Sequence, residues 1–527
     1  MASPVFPLQA YAGNLDQVYL VGGLSTMLDR LLLLFFASPV LGALVSEPPP
    51  PTPRSPAAPV LAWLPVRLNH FDASNNDTFQ MRYYYNDEFA RTNNIVIVLG
   101  GPWTISPDWA SGGLPHQLAE EIGAGLFYTE HRYYGQSRPT GGTSVPELRY
   151  LSVDQALGDL AQFIQHVQSD QFQGGRFRGG QVALAGCAHA GSLATWMRLA
   201  YPHLVSAAFS DSGPLLAHDE FAEYLEVVWE AVRAQGGGAC VATLDLALER
   251  LFAETLTQEG ANRVSNMFNT CSPIEGTNPL DTSTFFWRGV LEPLARLVQS
   301  ATPGDIASAC EVLTDPNVSK PTERLAKWVT SQQWAQPCLQ ASYTAHLAAH
   351  TNTSYDAPHS VDRLWMYQSC VEFGWHQTTA SFNSFHNAVA LPYFRALCRQ
   401  YFTEDFDETL QWAGIERTNL LFGGVTYMPD AVVSVVGGHD PWWPVGPNAT
   451  HATHMSPVYV VSGGSQCRVI RSTGESETQQ VEVVKRAVLL NMQQLLSGKP
   501  PTHVSSAAVV CSPLAIILII ASLTFVL

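Results

Sequence analysis

The stretch Gly186-Cys187-Ala188-His189-Ala190-Gly191 constrains this chain more than any other part of it. An apolar run, Val182-Ala183-Leu184-Ala185, enters it like a short buried strand. A helix-compatible run, Ser192-Leu193-Ala194-Thr195-Trp196-Met197, leaves it. Strand, tight Gly-x-x-x-x-Gly turn and helix form the context of a nucleophile elbow, where small residues let a strained turn lift one side chain above a sheet. The lifted position is Ala188. A methyl group cannot attack a carbonyl, so the scaffold of covalent catalysis and its chemistry part here.

Around this turn the pattern alternates. Strand-like runs at Ile95–Leu99 and Gly125–Tyr128 are interleaved with helical stretches such as Val153–Val167, which predicts a parallel, doubly wound α/β sheet. From Leu215 to about Asn419 helical periodicity dominates, as in Phe221–Ala234 and Cys240–Leu256. Strand-like runs return at Val432–Val436 and Val458–Val461, and Val481–Leu496 closes as an amphipathic helix.

Several strings sharpen the reading. Asn69-His70-Phe71-Asp72 precedes Thr78-Phe79-Gln80-Met81-Arg82-Tyr83, and Glu130-His131-Arg132-Tyr133-Tyr134-Gly135-Gln136-Ser137 follows. Leu148-Arg149-Tyr150-Leu151-Ser152, Trp365-Met366-Tyr367-Gln368-Ser369-Cys370 and Asp440-Pro441-Trp442 come after it in order. From about Asn69 to Leu496 the chain resembles peptidase family S28, which holds the lysosomal Pro-X carboxypeptidase, dipeptidyl peptidase II and the thymus-specific serine protease.

The resemblance implies an α/β-hydrolase fold with an inserted helical cap domain. Together with the local readings below, it divides the chain into an N-terminal extension and signal peptide (1–46), a Pro-rich linker (47–62) and a first core part (63–214). A helical cap (215–425), a second core part (426–497) and a C-terminal anchor segment (498–527) follow. It also carries over a triad: Ala188 stands in the serine slot, Asp440 in the aspartate slot and Gln466 in the histidine slot. A primary amide cannot take a proton from a hydroxyl near neutral pH. Asp440 alone would orient an imidazole that is absent. Gly100-Gly101-Pro102 resembles a shortened oxyanion loop, with Gly101 and the backbone N–H of His189 in the places of its donors.

The expected function is therefore an inactive S28 carboxypeptidase-like protein that binds a peptide or protein in the inherited cleft. The alternative is an active serine exopeptidase cleaving proline-containing peptides in the secretory or lysosomal pathway. No cofactor and no metal are called for, and a homodimer is left open. Asp440 has a plainer reading too, because an aspartate before proline readily caps a turn. Cys187 reads as a buried free thiol, with catalysis by its sulfur as the sharper alternative. Ser192 reads as packing or capping, and Glu130-His131-Arg132 as packing and ion pairing. His439, His451 and His454 read as loop histidines, against a metal site.

Composition limits the partners. Lys plus Arg is 28 against 45 for Asp plus Glu, a net charge of −17, which argues against nucleic acid. Leu31 to Val45 reads as a signal-peptide core with cleavage near Ala43, and Met27 makes a natural start for it. The apolar segment 507–527 carries no charge, which fits a GPI-anchor signal better than a membrane span. The expected location is the outer face of the plasma membrane, with lysosomal or secreted as alternatives. Pro48–Pro59 reads as a linker that cannot pack.

Eight cysteines precede the tail, in keeping with an oxidising compartment. The resemblance implies disulfides among Cys240, Cys271, Cys310, Cys338, Cys370 and Cys398, and the expected pair is Cys370–Cys398. Sequons at Asn76, Asn317, Asn352 and Asn448 suit a glycoprotein.

Overall fold

The computed structural model describes residues 46–54, 57–332, 337–381, 385–474 and 477–502. The signal-peptide and C-terminal anchor expectations lie outside these residues. Among the described residues no helix is long and apolar enough to cross a membrane.

Eight strands form one sheet in the order β1-β2-β4-β3-β5-β6-β9-β10. β1 (Val60–Arg67) and β2 (Thr78–Asn86) are antiparallel, and β2 is antiparallel to β4 (Gly125–Thr129). From β4 onward, β3 (Ile95–Leu99), β5 (Val182–Cys187), β6 (Ala207–Asp211), β9 (Val432–Gly437) and β10 (Val458–Val461) run parallel. Every residue of β3, β4, β5, β6 and β9 is buried. That is why β3, β5 and β9 read as near-continuous apolar runs rather than alternating ones. Helices Val153–Val167, His189–Ala200 and Gln479–Leu496 belong to this core. The architecture is that of an α/β-hydrolase.

Between β6 and β9 the chain is almost wholly helical. Among its helices are Glu223–Gly236, Gly238–Thr255, Glu292–Ser300, Tyr343–His350, Ser360–Gln368 and Glu408–Phe422. A short parallel pair, β7 (His218–Glu220) with β8 (Gly374–His376), ties the start of this insert to its later part. Such a three-residue pairing has no period that a sequence reading could detect. Cys240–Cys310, Cys271–Cys338 and the expected Cys370–Cys398 staple the insert.

The segment 47–54, expected not to pack, is held against the core at a few points while most of its residues stay exposed. Arg54 donates its backbone N–H to the Ser111 carbonyl at 2.7 Å, and Pro51 is buried. Glu47 Oε1 accepts from the Ser106 N–H at 2.9 Å and from the Tyr128 hydroxyl at 2.8 Å. Proline fixes φ before docking, so an extended Pro-rich strand loses little freedom when it lies against a core. Three of the sequon asparagines, Asn76, Asn317 and Asn352, are exposed. Asn448 is half-buried, with its Oδ1 accepting from the Thr450 N–H at 2.9 Å.

Candidate active site

The site is assembled at the C-terminal ends of β5, β6, β9 and β10, where a parallel sheet opens its crevice. β5 ends at Cys187 and the helix His189–Ala200 begins two residues later. The single residue between them, Ala188, takes φ 52° and ψ −130°. That is a sparsely populated conformation for any residue with a Cβ, of the kind that concentrates at functional sites. The turn tolerates it because Gly186 lies where a Cβ would stand 2.1 Å from the Ala190 carbonyl oxygen. The Ala188 N–H donates to the Asp211 carbonyl at 2.9 Å, locking the apex to the neighbouring strand.

Cys187 is no free thiol. It is bonded to Cys467 across 280 residues of sequence, with the two Cα atoms 5.6 Å apart. The expectation failed because the end of β5 and the loop after β10 meet only once the sheet is assembled. The bridge ties the strand end that precedes Ala188 to the loop that carries Gln466, the residue before Cys467. Ser212, φ 60°, lies close to the third member: its hydroxyl accepts from the Cys467 N–H at 3.0 Å and is near enough to Asp440 to favour the ionised carboxylate. The disulfide thus joins the chain neighbours of Ala188 and Gln466, and Ser212 stands between Cys467 and Asp440. Ser212 was not foreseen, since a lone serine after a strand carries no signal of its own.

Asp440 is fully buried. One carboxylate oxygen accepts from the Trp442 N–H at 3.0 Å, as a turn-capping aspartate would, and the other has no hydrogen-bond partner. Burial pushes its carboxyl up to about 7, against the bond from Trp442 and the nearby Ser212 hydroxyl and with help from the nearby Asp211 charge. Asp211 is pushed up to about 7 as well, by burial, although it accepts from the N–H groups of Val469 and Ile470 at 2.9 and 2.7 Å.

Gln466 is held by the helical insert. Its Oε1 accepts from Gln299 Nε2 at 2.9 Å, and its backbone N–H donates to the Gln299 carbonyl at 3.1 Å. Gln299 Oε1 in turn accepts from the Tyr224 hydroxyl at 2.8 Å and from Trp442 Nε1 at 3.2 Å. An amide network whose donors and acceptors match occupies this corner. Its key member, Gln299, lies far from the site in sequence and could not be read as part of it.

The side chains of the other candidates are engaged elsewhere. The His189 ring is 2% exposed and turns into an aromatic group formed with His131, Trp196, Trp365 and Phe373. Both its nitrogens lack partners, and burial, reinforced by His131, drives its pKa well below the usual histidine value. Gly101 sits beneath Trp103, where a Cβ would come within 2.3 Å of the indole. Ser192 donates to the Pro214 carbonyl at 2.5 Å. Glu130 pairs with Arg82 at 2.5 Å, and Arg132 clasps both oxygens of Asp159 at 2.6 and 2.7 Å. His439 Nδ1 bonds Gln235 and His451 Nδ1 bonds the Asn448 N–H. Among the described residues the one group spaced to hold a metal lies elsewhere, at His350, His359 and Asp362.

A family model described as serine carboxypeptidase S28 matches residues 66–488. The chain belongs to the serine carboxypeptidase S28 family. Among its S28 relatives, the thymus-specific serine protease of Mus musculus is 30% identical over 442 residues, covering 76% of this chain and 84% of the relative. The human thymus-specific serine protease is 29% identical over 450 residues, covering 80% and 82%. The lysosomal Pro-X carboxypeptidase of Mus musculus is 27% identical over 369 residues, covering 67% and 72%.

Proposed function

We propose that this S28 chain is a catalytically inactive member of its family, which binds a peptide or protein ligand in the inherited cleft at the cell surface. One observation carries the reading: the apex of the strained turn bears the methyl group of Ala188. Two further features support it. Gln466, on the loop bridged to the end of β5, is engaged by Gln299 and has no basic nitrogen to offer. Asp440 keeps a buried oxygen without the imidazole N–H that a working triad would aim at it. In one measured protease, loss of the nucleophile or the base costs about as much as losing the whole triad, on the order of 10⁶ in turnover. The apolar, charge-free segment 507–527 supports anchoring through a GPI signal.

The purified full-length protein should not react with a fluorophosphonate probe. It should still bind a proline-containing peptide, read by quenching of the Trp365, Trp375 and Trp442 cluster. A188S alone should restore little hydrolysis, because Gln466 cannot act as base. A188S combined with Q466H should give measurable cleavage of a Pro-X or X-Pro peptide. Robust wild-type turnover that a serine-directed inhibitor abolishes would establish the active exopeptidase instead.

A further inference from the structure

Away from the elbow, two helices of the insert bring three ligand-type side chains onto one point. His350 ends the helix Tyr343–His350, His359 is the N-cap of the helix Ser360–Gln368, and Asp362 lies in that helix's first turn. His350 Nε2 is 3.4 Å from Asp362 Oδ2, and His359 Nδ1 is 3.3 Å from the same oxygen. Charge-assisted N–H···O bonds are usually about 2.7–2.9 Å long, so both contacts are slack as hydrogen bonds. They match another geometry closely. Four ligands at about 2.0–2.1 Å around a tetrahedral ion stand about 3.3–3.4 Å from one another.

The tautomers suit an ion as well. His350 Nδ1 is 2.7 Å from the His346 carbonyl, so Nδ1 carries a proton and Nε2 is the ring nitrogen turned to Asp362. His350 is 2% exposed, and its Nε2 has no hydrogen-bond partner. A backbone carbonyl holding the far nitrogen of a ligand histidine is the usual outer support of such sites. The two imidazole rings stack with centroids 4.4 Å apart, an arrangement that two protonated rings would resist and a shared cation would favour. Arg288, a cation that lines the adjoining cavity, pairs with Glu292 at 2.9 Å, and its charge also reaches Asp362.

We propose that His350 Nε2, His359 Nδ1 and an oxygen of Asp362 bind one divalent transition-metal ion of the Zn²⁺ class. Two imidazoles and one carboxylate are a borderline donor set that selects Zn²⁺ or Co²⁺ over Mg²⁺ and Ca²⁺. Three protein ligands leave a fourth position for water. That position faces a cavity of about 80 Å³, which His350 and Asp362 line together with Ser369 and Gln377. This is room for several waters. The ion would cross-link two helices of the insert, beside a cavity that Trp365 and Trp375 also line.

The test uses the full-length protein, stripped with a chelator and titrated calorimetrically with Zn²⁺, Co²⁺, Mg²⁺ and Ca²⁺. Zn²⁺ should bind with a stoichiometry of one and raise the unfolding temperature, while Mg²⁺ and Ca²⁺ should give neither effect. Co²⁺ should develop the visible absorption of a four-coordinate site. H359A, whose side chain is partly exposed, and D362N should each weaken Zn²⁺ binding at least tenfold, with H359A keeping the metal-free unfolding temperature. H439A, which alters a histidine outside the cluster, should bind Zn²⁺ as the wild type does. Absence of stoichiometric Zn²⁺ binding by the wild type, or equal Zn²⁺ affinity in wild type, H359A and D362N, would overturn the proposal.

Discussion

Asp440 is buried with one oxygen bonded and one orphaned, beside a second buried carboxyl, Asp211. In a working triad an imidazolium would compensate such a charge; here nothing does. Its folded-state pKa, about 7, lies above the unfolded value, so the folded chain holds this proton more tightly. The resulting stabilisation is complete below about pH 4 and is lost as pH rises through 7. D440N removes the titration while keeping an oxygen to accept from the Trp442 N–H. The unfolding temperature of D440N relative to wild type should therefore shift upward between pH 5 and pH 8, by the equivalent of ~1–3 kcal/mol. A difference that stays constant over this range would show that Asp440 is not held in a strained ionised state.

At the scale of elements, the bridge Cys187–Cys467 links the end of β5 to the loop after β10, the two segments that carry Ala188 and Gln466. Both sulfurs belong to buried residues, so the bridge closes its long loop from within the core. Replacing both cysteines by alanine should cost about 2–5 kcal/mol, read as a lower denaturation midpoint. It should also loosen the register of the Gln466 loop against Gln299, visible as faster hydrogen exchange at the Gln466 amide. Unchanged stability in the double variant would mean that the hydrogen bonds from Val469 and Ile470 to Asp211 already fix the loop.

Across the whole molecule two sets of buried groups titrate in opposite senses. Burial lowers His131 and His376 to about 4 and drives His189 and His346 well below the usual histidine value. Their contribution is present above about pH 6.5 and is lost as pH falls toward 4. Burial raises Asp211, Asp440 and Glu372 to about 7, and their contribution grows over the same fall in pH. The two slopes offset each other between about pH 4.5 and 6.5. Below that range Asp159, held under the usual carboxylate range by Arg132 and His70 despite its burial, begins to lose its pairing. Thermal unfolding should thus vary little from pH 6.5 to 4.5 and fall steeply below pH 4. A steep loss that begins at pH 6.5 would show that the histidines dominate.

The sequence by itself determined what depends on near neighbours. The apolar runs that became β3, β5, β9 and β10, the glycines that permit a strained turn at Ala188, and the helix Val153–Val167 all follow from local pattern and local sterics. Ordered strings then sufficed to recognise the family. Only the tertiary structure decided which distant groups meet. Packing of the sheet joined Cys187 to Cys467, set Ser212 against the Cys467 N–H and set Gln299 of the insert against Gln466. It also turned His189 away into the aromatic group and gathered His350 with His359 and Asp362. Periodicity and propensity act over a few residues, whereas these contacts arise from burying one apolar face against another, and no local pattern records which faces those are.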